Sequence, residues 1–386
     1  MNLLVSRTVL NVGVTAVFLA VPAHAERWWT APELKARVAF PNAVVGNGPH
    51  YWNQDESGTF LFATTGYSRK TIDWGYLYSI DALSAANGQT TNPVPIASGN
   101  NVDLAPNSYG LRGGALSDEL GLVLSGNAYE GSGAWNSHVS LPTDGTPWTR
   151  AVPRTVFDIT NNVSVHVVWD SGDFSHDSQY LYTNDYLWDI VPGESERIWK
   201  WEVGNLGQDG MGLASNAVYY TQVLGIWSVN VYHIGGRDLV FYGGLDHAKE
   251  RIIVCVFDTV DETETVLVDL PNDAEHNPFF GAWNDFEVVQ NIKVGGVGLG
   301  QMHLYVTYDN GTIMIYNLRA DGKSVGAKVR HFAPQDVMDI LGVASLGACR
   351  VLEVTNDERI AFFASHAQQA VHVLHSHPVS GVVILR

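Results

Sequence analysis

The sequence predicts an all-β fold, a β-propeller of six blades with mainly four antiparallel strands each. A polar turn followed by a short alternating strand occurs six times, and successive copies lie roughly 60 residues apart, the size of a large propeller blade. A further strand follows each copy, and an apolar run precedes it. Because one such unit cannot cover both faces of its own sheet, the units must stack, and a closed ring leaves no strand edge exposed.

The clearest copy runs from Phe174 to Asp185, with the letters FSHDSQYLYTND. A polar turn from Ser175 to Ser178 leads into the alternating run 180–183, which is typical of a half-buried strand. The other copies are GTFLFATTG from Gly58, LGLVLSGN from Leu120, DLVFYGG from Asp238, QMHLYVTYD from Gln301 and RIAFFASH from Arg359. The strands that follow the copies are GYLYSID (75–81), AWNSHVSL (134–141), RIWKWEV (197–203), RIIVCVFDT (251–259), GTIMIYNL (311–318) and AVHVLHS (370–376).

One domain over residues 26–386 accounts for the rest of the chain. The sequence has 386 residues, of which 46% are hydrophobic and 16% charged, so a single ring has ample core. Since the two ends of a propeller commonly share a blade, we expect ARVAF (36–40) or GVVILR (381–386) to complete the closing sheet. The best helix candidate is PQDVMDIL (334–341). The alternative to the ring is a pair of β-sandwich domains.

Residues 1–25 have the pattern of a secretory signal peptide. Arg7 precedes an apolar stretch that ends at Val21, and Ala23 and Ala25 form a small-residue cleavage site, so the mature chain would begin at Glu26. The apolar stretch is short for a membrane span, and no later segment is long enough to be one. The expected location is therefore outside the cell or in the lumen of the secretory pathway.

The charge balance excludes several partners. Removal of residues 1–25 takes away one of the 22 basic residues and none of the 40 acidic ones, which leaves 21 against 40 and a net charge of −19. Such a surface repels nucleic acid, and acidic polysaccharides are disfavoured as well. Small apolar and aromatic molecules remain the favoured partners, and the sequence does not indicate an oligomeric state.

Cysteine pairs and glycosylation sequons are the two features of the sequence that could be covalently modified. Cys255 falls on the third strand of the fourth predicted blade and Cys349 on the inner strand of the sixth, too far apart for a disulfide, so both are expected to be buried free thiols. Asn162 and Asn310 begin glycosylation sequons, which matter if the host is eukaryotic.

No cofactor is expected. The sequence lacks a G-x-S-x-G motif, and neither cysteine has a plausible base beside it. His372, His375 and His377 resemble a ligand cluster, but on a strand His372 points away from the other two, which favours a polar strand edge over a metal site. A calcium ion at one of the Asp-rich turns is left open by the sequence.

The candidate site lies at the channel mouth where the inner strands begin. The candidate catalytic residues are two histidines at inner-strand starts, one in a strand-to-strand loop, and two rim residues: His50, His166, His247, Arg112 and Tyr186. The candidate substrate-binding residues are Trp52, Tyr67, Trp135, Trp188, Trp227, Trp283, Asn284, Asp285 and His366. Flat apolar walls with a few polar anchors are typical of a small-molecule site. The alternative is that these residues have structural roles: the histidines would make hydrogen bonds, and the aromatic rings would fill the space between blades.

Several of these features together resemble a known family. They are the signal peptide, GNGPHYW (46–52), the large blades with SGTFLF and HDSQYLY strands, and the aromatic connection HNPFFGAWNDF (276–286). In length and general character the chain resembles the fungal secreted propeller hetero-Diels–Alderases, which join a tropolone-derived quinone methide to a humulene-type sesquiterpene. The resemblance implies an enzyme of secondary metabolism that needs no cofactor, and it carries over no catalytic residue.

The residues are compatible with that chemistry. A cycloaddition needs two apolar partners held face to face, a hydrogen-bond donor on the heterodiene oxygen and, for the dehydration that forms the quinone methide, an acid–base pair. Two other hypotheses remain: a propeller-type polysaccharide lyase that uses His50, Arg112 and Tyr186, and a glycan-binding propeller without catalytic activity. The blade loops differ strongly, which favours one central site over six equivalent ones.

Overall fold

The structure of the chain is a computed structural model, and every structural statement concerns the residues that it describes. These are residues 26–41, 49–65, 74–100, 113–117, 119–120, 122–126, 136–140, 151–154, 171–184, 196–202, 218–277, 280–281, 288–347, 349–365 and 367–376.

The described strands form six sheets, numbered here in chain order. Within each sheet the strands are given from the ring axis outwards. Sheet 1 has Pro49–Gln54, Phe60–Thr65, Trp74–Ser79 and Ala97–Asn100, and sheet 2 has Gly113–Ser117, Leu122–Gly126, Asn136–Ser140 and Ala151–Arg154. Sheet 3 has Gly172–Phe174, Tyr180–Asn184, Arg197–Glu202 and Val218–Tyr220. Sheet 4 has Asn230–Ile234 with the short Val223–Leu224 beside it, then Arg237–Asp246, Arg251–Asp258 and Thr263–Pro271. Sheet 5 has Val289–Gly295, Met302–Tyr308, Ile313–Leu318 and Val325–Phe332, and sheet 6 has Cys349–Val354, Ile360–Ser365, Ala370–Ser376, Pro32–Ala39 and Gly88–Thr90.

The sheets are arranged as a closed ring. The inner strand of each sheet contacts the inner strand of the next, and the inner strand of sheet 6 contacts that of sheet 1. The prediction of an all-β propeller is therefore confirmed. Pro32–Ala39 pairs antiparallel with Ala370–Ser376, so ARVAF completes the closing sheet as predicted, while residues 381–386 lie outside the described part of the chain.

The same turn leads into the second strand of several sheets. In sheet 3 the Ser175 hydroxyl accepts from the Tyr180 amide at 2.9 Å, and the Ser178 amide donates to the Ser175 carbonyl at 2.8 Å. Ser178 takes a positive φ of 53°, the left-handed conformation that closes the turn. The equivalent position in sheet 1 is Gly58, with φ 71°. The stretch FSHDSQYLYTN thus forms the predicted turn and strand, because a short polar side chain replaces the missing backbone partner.

Hydrophobic layers fill the space between neighbouring sheets. Leu239 and Phe241 of sheet 4 pack with Ile292 and Leu304 of sheet 5, and all four side chains are fully buried. Burial of a side chain of this size stabilises the fold by roughly 1.5–3 kcal/mol, so these layers hold the ring together.

The described part of the chain has two helices, which flank the ring. Helix α1 (Ile80–Ala85) begins after Ser79, whose hydroxyl accepts from the Ala82 amide. Helix α2 (Pro334–Leu341) has the predicted bounds: proline fits its first turn, Asp336 accepts from the Ala333 amide at 2.8 Å, and left-handed Gly342 ends it. Neither described helix is long and apolar enough to cross a membrane.

The cysteines lie on the strands that the sequence predicted. Cys255 lies on the third strand of sheet 4 and is a buried free thiol. Cys349 begins the inner strand of sheet 6, and its side chain lies outside the described set. Burial raises the pKa of Cys255, so this thiol is held in the inert protonated form.

Candidate active site

A cavity of about 250 Å³ lies where the six inner strands converge, at the end of the ring where those strands finish. Every sheet contributes to its wall through the last residues of an inner strand or through the turn that follows. Most of the lining residues are polar, and Phe174 and Tyr232 add two aromatic side chains. The side chains that bear on chemistry are Asp55, Glu56, Glu119, Asp173, His176, His233, Phe174 and Tyr232.

Two stacked histidines stand at this cavity. The rings of His176 and His233 lie 4.2 Å apart between centroids, with 25° between their planes. Each ring has its own carboxylate: His176 Nδ1 pairs with Glu56, and His233 Nδ1 lies 2.9 Å from Asp238 Oδ1. A carboxylate at Nδ1 fixes the orientation of an imidazole and leaves Nε2 for a substrate. The hydrogen bond with Glu56 raises the pKa of His176 above its ordinary value.

Asp173 is the carboxyl group at the inner end of the same cavity. Its Oδ1 accepts from the Asn53 amide at 3.0 Å and the Phe174 backbone at 2.9 Å, and its Oδ2 accepts from the Val231 backbone at 2.8 Å. Burial raises the pKa of Asp173 to about 7, although these hydrogen bonds and the ammonium of Lys293 lower it. A carboxyl group with that pKa can give or take a proton at neutral pH.

Beside the cavity, a buried ion pair lies among the inner strands. Lys293 Nζ lies 2.7 Å from Glu353 Oε2 and donates to Asn230 Oδ1 at 2.8 Å and to the Trp52 carbonyl at 3.3 Å. The lysine and glutamate side chains are 2% and 1% exposed. This part of the ring interior is therefore a polar network that joins sheets 1, 4, 5 and 6, whereas the sequence predicted a hollow walled by aromatic rings.

A second histidine–carboxylate cluster is sealed under the N-terminal segment. Glu358 accepts from Tyr305 Oη at 2.6 Å and from Arg27 Nε at 2.8 Å, and its Oε1 lies 2.8 Å from His303 Nδ1. The His303 side chain has no exposure, and Trp29 covers it edge-on at 5.4 Å. A substrate cannot reach this cluster, so its role in the described structure is to fasten the N-terminal segment to sheets 5 and 6.

The predicted site residues are placed as follows. His247 lies in the turn between the second and third strands of sheet 4, near the starts of the inner strands, and its Nε2 lies 3.0 Å from the Thr221 carbonyl. Trp52 and Trp227 are buried to 0% and 1% exposure and pack between sheets, which is the structural alternative for them and not the wall of the cavity.

The other predicted site residues lie outside the described side chains. His50 belongs to the inner strand of sheet 1, and only its backbone is described. The remainder fall outside the described residues altogether: Arg112, His166, Tyr186, Tyr67, Trp135, Trp188, Trp283, Asn284, Asp285, His366 and the sequon residue Asn162. Asn310 is described in a turn, where its side-chain oxygen accepts from the Thr312 amide at 2.9 Å. Their functional assignments stay predictions.

The sequence analysis missed the residues of the described cavity. The sequence places His176 in a polar turn and gives His233 no predicted role, because the expected site lies at the starts of the inner strands. Asp173 has no local signal. The signal that could have found the pair is that His176 and His233 both fall just before a second strand, at the same end of neighbouring sheets.

Comparisons with known proteins add little about activity. No protein-family model and no curated protein matches the sequence. Among solved structures, a Bacteroides uniformis protein described as a candidate 6-phosphogluconolactonase is 13% identical, with a TM-score of 0.49 over 86% of this chain and 82% of that one. The periplasmic gluconolactonase PpgL of Pseudomonas aeruginosa is 12% identical, with a TM-score of 0.48 and the same two coverages. The Pan2 WD40 domain of Neurospora crassa is 10% identical, with a TM-score of 0.45 over 89% of this chain and 95% of that one. At these values the likeness says nothing of what this chain binds or catalyses.

Proposed function

We propose that the protein is a cofactor-independent enzyme that performs acid–base chemistry on a small oxygenated substrate in the cavity between the inner strands. The observation that carries the proposal is one constellation: two histidines, each held by its own carboxylate, in one cavity with Asp173. General acid and base groups that titrate near neutral pH contribute rate factors of roughly 10²–10⁴.

The specific reaction that we propose is the hetero-Diels–Alder addition of a tropolone-derived quinone methide to a humulene-type terpene. Its support is the whole-chain resemblance to the fungal propeller enzymes and the acid–base groups of the cavity. Secretion is part of the proposal, on the pattern of residues 1–25. In this scheme the cavity forms the quinone methide, which then adds to the terpene.

The dehydration step balances within the site. A protonated histidine gives its proton to the hydroxyl of a hydroxymethyl tropolone, the C–O bond breaks, and water leaves. A base, the second histidine or ionised Asp173, takes the proton of the ring hydroxyl. The O–H electron pair becomes the second bond of the ring carbonyl, and a ring π pair shifts to form the exocyclic double bond at the carbon that loses water. In the cycloaddition that follows, the C=C and C=O π bonds of the quinone methide and one C=C π bond of the terpene are consumed. One C–C bond, one C–O bond and one new ring C=C bond form, and no further reagent is needed.

The size of the cavity limits what it can hold. About 250 Å³ is below the usual 300–1,000 Å³ of a site for a drug-sized ligand, so the cavity suits a single small ring. We therefore place the tropolone partner inside and the terpene outside, where proximity to the newly formed quinone methide supplies the effective concentration.

The test separates the two steps. The protein is incubated with the hydroxymethyl tropolone and a thiol that traps the quinone methide, and in parallel with humulene in place of the thiol. The proposal predicts faster thiol adduct and a terpene adduct of single stereochemistry, both above the spontaneous background. If the thiol adduct formed faster but no terpene adduct appeared, the protein would be a dehydratase only. If neither product exceeded the background, the proposal would be wrong.

The lyase hypothesis is not favoured by the described cavity. Four carboxylates line it, namely Asp55, Glu56, Glu119 and Asp173. A uronate would meet like charges there, which disfavours binding.

A further inference from the structure

A second cavity lies on the other side of the histidine pair. It measures about 240 Å³, lies between sheets 3 and 4, and shares His176 and His233 with the first cavity. Its remaining wall differs in character, since it includes two tyrosine rings, Tyr180 and Tyr182, and the ammonium group of Lys200. The histidine pair thus separates a cavity whose other charged groups are all acidic from one that is lined by two acidic and two basic side chains, Asp177, Asp238, Lys200 and Arg237.

Lys200 is the distinctive group of this second cavity. Its Nζ lies 3.8 Å from the centre of the Tyr180 ring and 6.0 Å from that of Tyr182. No ion pair with a carboxylate is found for it among the residues that the structure describes. Tyr182 stands opposite Lys200 in the strand pairing, so the backbone register fixes the lysine against the aromatic wall.

The other charged groups of the cavity are already engaged. Arg237 pairs with Asp258 at 2.9 Å and with Asp261. Asp238 pairs with His233. Asp177 accepts from the Ser175 hydroxyl at 2.7 Å and from the Gln179 amide at 3.1 Å. Asp177 keeps its negative charge, because both of its donors are neutral. Among the described lining groups, Lys200 is the charged side chain that has neither a hydrogen bond nor an ion pair to hold it.

We propose that the second cavity is an anion subsite that binds a small planar aromatic carboxylate, with Lys200 as its counter-ion. Lys200 supplies the positive charge and a hydrogen-bond donor, and the half-buried ring of Tyr180 supplies apolar surface beside it, while Tyr182 is 1% exposed and belongs to the core. The proposal concerns binding alone and does not depend on the reaction assigned to the first cavity. A ligand in the second cavity would contact the side of His176 and His233 that faces away from the first cavity.

The test uses benzoate as the probe and benzamide as its neutral isostere. Binding is measured by calorimetry on the full mature chain, and the imidazole proton signals locate the ligand by NMR. We expect saturable benzoate binding with shifts at His176 and His233 but not at His247. Benzamide and the Lys200→Met variant should each bind at least roughly tenfold more weakly, the size of one hydrogen bond to a charged group.

A matched variant controls for charge. Lys328→Met makes the same change on an exposed residue of the outer strand of sheet 5, away from both cavities, and should leave benzoate binding unchanged. Lys200→Arg keeps the charge and should retain binding within a few-fold, which also covers the case in which Lys200→Met fails to fold. Equal affinity for benzoate and benzamide, no loss in Lys200→Met, or shifts at His247 instead would each overturn the subsite. Enzyme activity plays no part in these readouts, so failure of the proposed reaction is a separate result.

Discussion

The turns that lead into the second strands of sheets 3 and 6 have the same backbone conformation, but one presents a side chain to a cavity and the other buries one. Ser175 and Thr355 each accept, through the side chain, from the amide five residues on, and through the carbonyl from the amide three residues on. The fourth residue is left-handed in both, with φ 53° at Ser178 and 60° at Glu358. In sheet 3 the turn presents His176 to an open cavity, whereas in sheet 6 it buries Glu358 under the N-terminal segment.

The difference shows that burial, and not residue type, separates a sealed structural cluster from one that a ligand can reach. Both regions join a histidine to a glutamate across two sheets, His176 with Glu56 and His303 with Glu358. The first pair is about half exposed, and the second is almost completely buried. Exposed ion pairs contribute little to stability, while the loss of one member of a buried pair is costly.

The largest expected effect follows directly from this contrast. Glu358→Gln should lower the free energy of unfolding by about 3 kcal/mol, because it removes the charge that Arg27, His303 and Tyr305 surround. Glu56→Gln makes the same change beside the exposed histidine and should cost less than about 1 kcal/mol. Urea unfolding of both variants measures the difference. Similar losses in the two would show that burial does not distinguish the clusters.

The pH dependence of the sealed cluster has a defined sign. Burial raises the pKa of Glu358, but hydrogen bonds from His303 and Tyr305 outweigh it and hold the pKa below its ordinary value of 4.5. The contribution of the Glu358 charge to the free energy of unfolding is therefore fully present above pH 4.5 and is lost as the pH falls through the folded-state pKa. The stability gap between wild type and Glu358→Gln should narrow in acid, and a gap that widens there would contradict the assignment.

The second prediction concerns activity. His233→Gln should lower kcat/KM by about 100-fold, since it removes one member of the acid–base pair, while the free energy of unfolding changes by less than about 1 kcal/mol. Single-turnover formation of the trapped quinone methide is the measurement. His247→Gln is the matched control, because His247 lies at the other end of the ring and should leave this rate unchanged. If His247→Gln lowered the rate and His233→Gln did not, the active site would instead lie at the end of the ring where the inner strands begin.

Much of the ring could be predicted because its signals are local. The turn at 175–178, the strands after it and helix α2 each follow from a dozen neighbouring residues or fewer. The closing strand 36–40 followed from the rule that the chain ends share a blade, and the strand pairing confirms it. These features depend on side-chain period and turn chemistry, which a sequence displays directly.

The cavity could not be predicted because it depends on how sheets meet. The contact between His176 and His233 joins two sheets. The pKa of Asp173 is raised by burial and lowered by Asn53, Val231 and Lys293, which lie on three other inner strands. The aromatic residues do not mark the cavity for a related reason. Trp52 and Trp227 have the composition expected of a pocket wall, but the layers between sheets need large side chains to fill them, and both are buried there.

The third prediction tests whether the raised pKa of Asp173 makes the protein less stable at neutral pH. Its pKa is about 7 in the folded protein against an ordinary 3.8, so the folded state holds the proton more tightly. The stability contribution of this group is thus complete below about pH 4 and lost as the pH rises to about 7. Asp173→Asn cannot ionise, so relative to wild type its free energy of unfolding should gain about 2 kcal/mol between pH 5 and pH 8. Denaturant titrations at several pH values measure this gain, and an unchanged difference would remove Asp173 as a neutral-pH acid.

The smallest expected effect returns to the shared turn. Ser178 Oγ lies 2.8 Å from Ser117 Oγ in a buried hydrogen bond, while its left-handed backbone costs a non-glycine residue roughly 1 kcal/mol. Ser178→Ala loses the bond and keeps the strain, so it should destabilise by about 1 kcal/mol. Ser178→Gly loses both and should fall within about 0.5 kcal/mol of wild type, as Gly58 already occupies this position in sheet 1. Equal unfolding free energies for the two variants would mean that the turn carries no strain, and that the serine is kept at this position only for its bond beside the cavity.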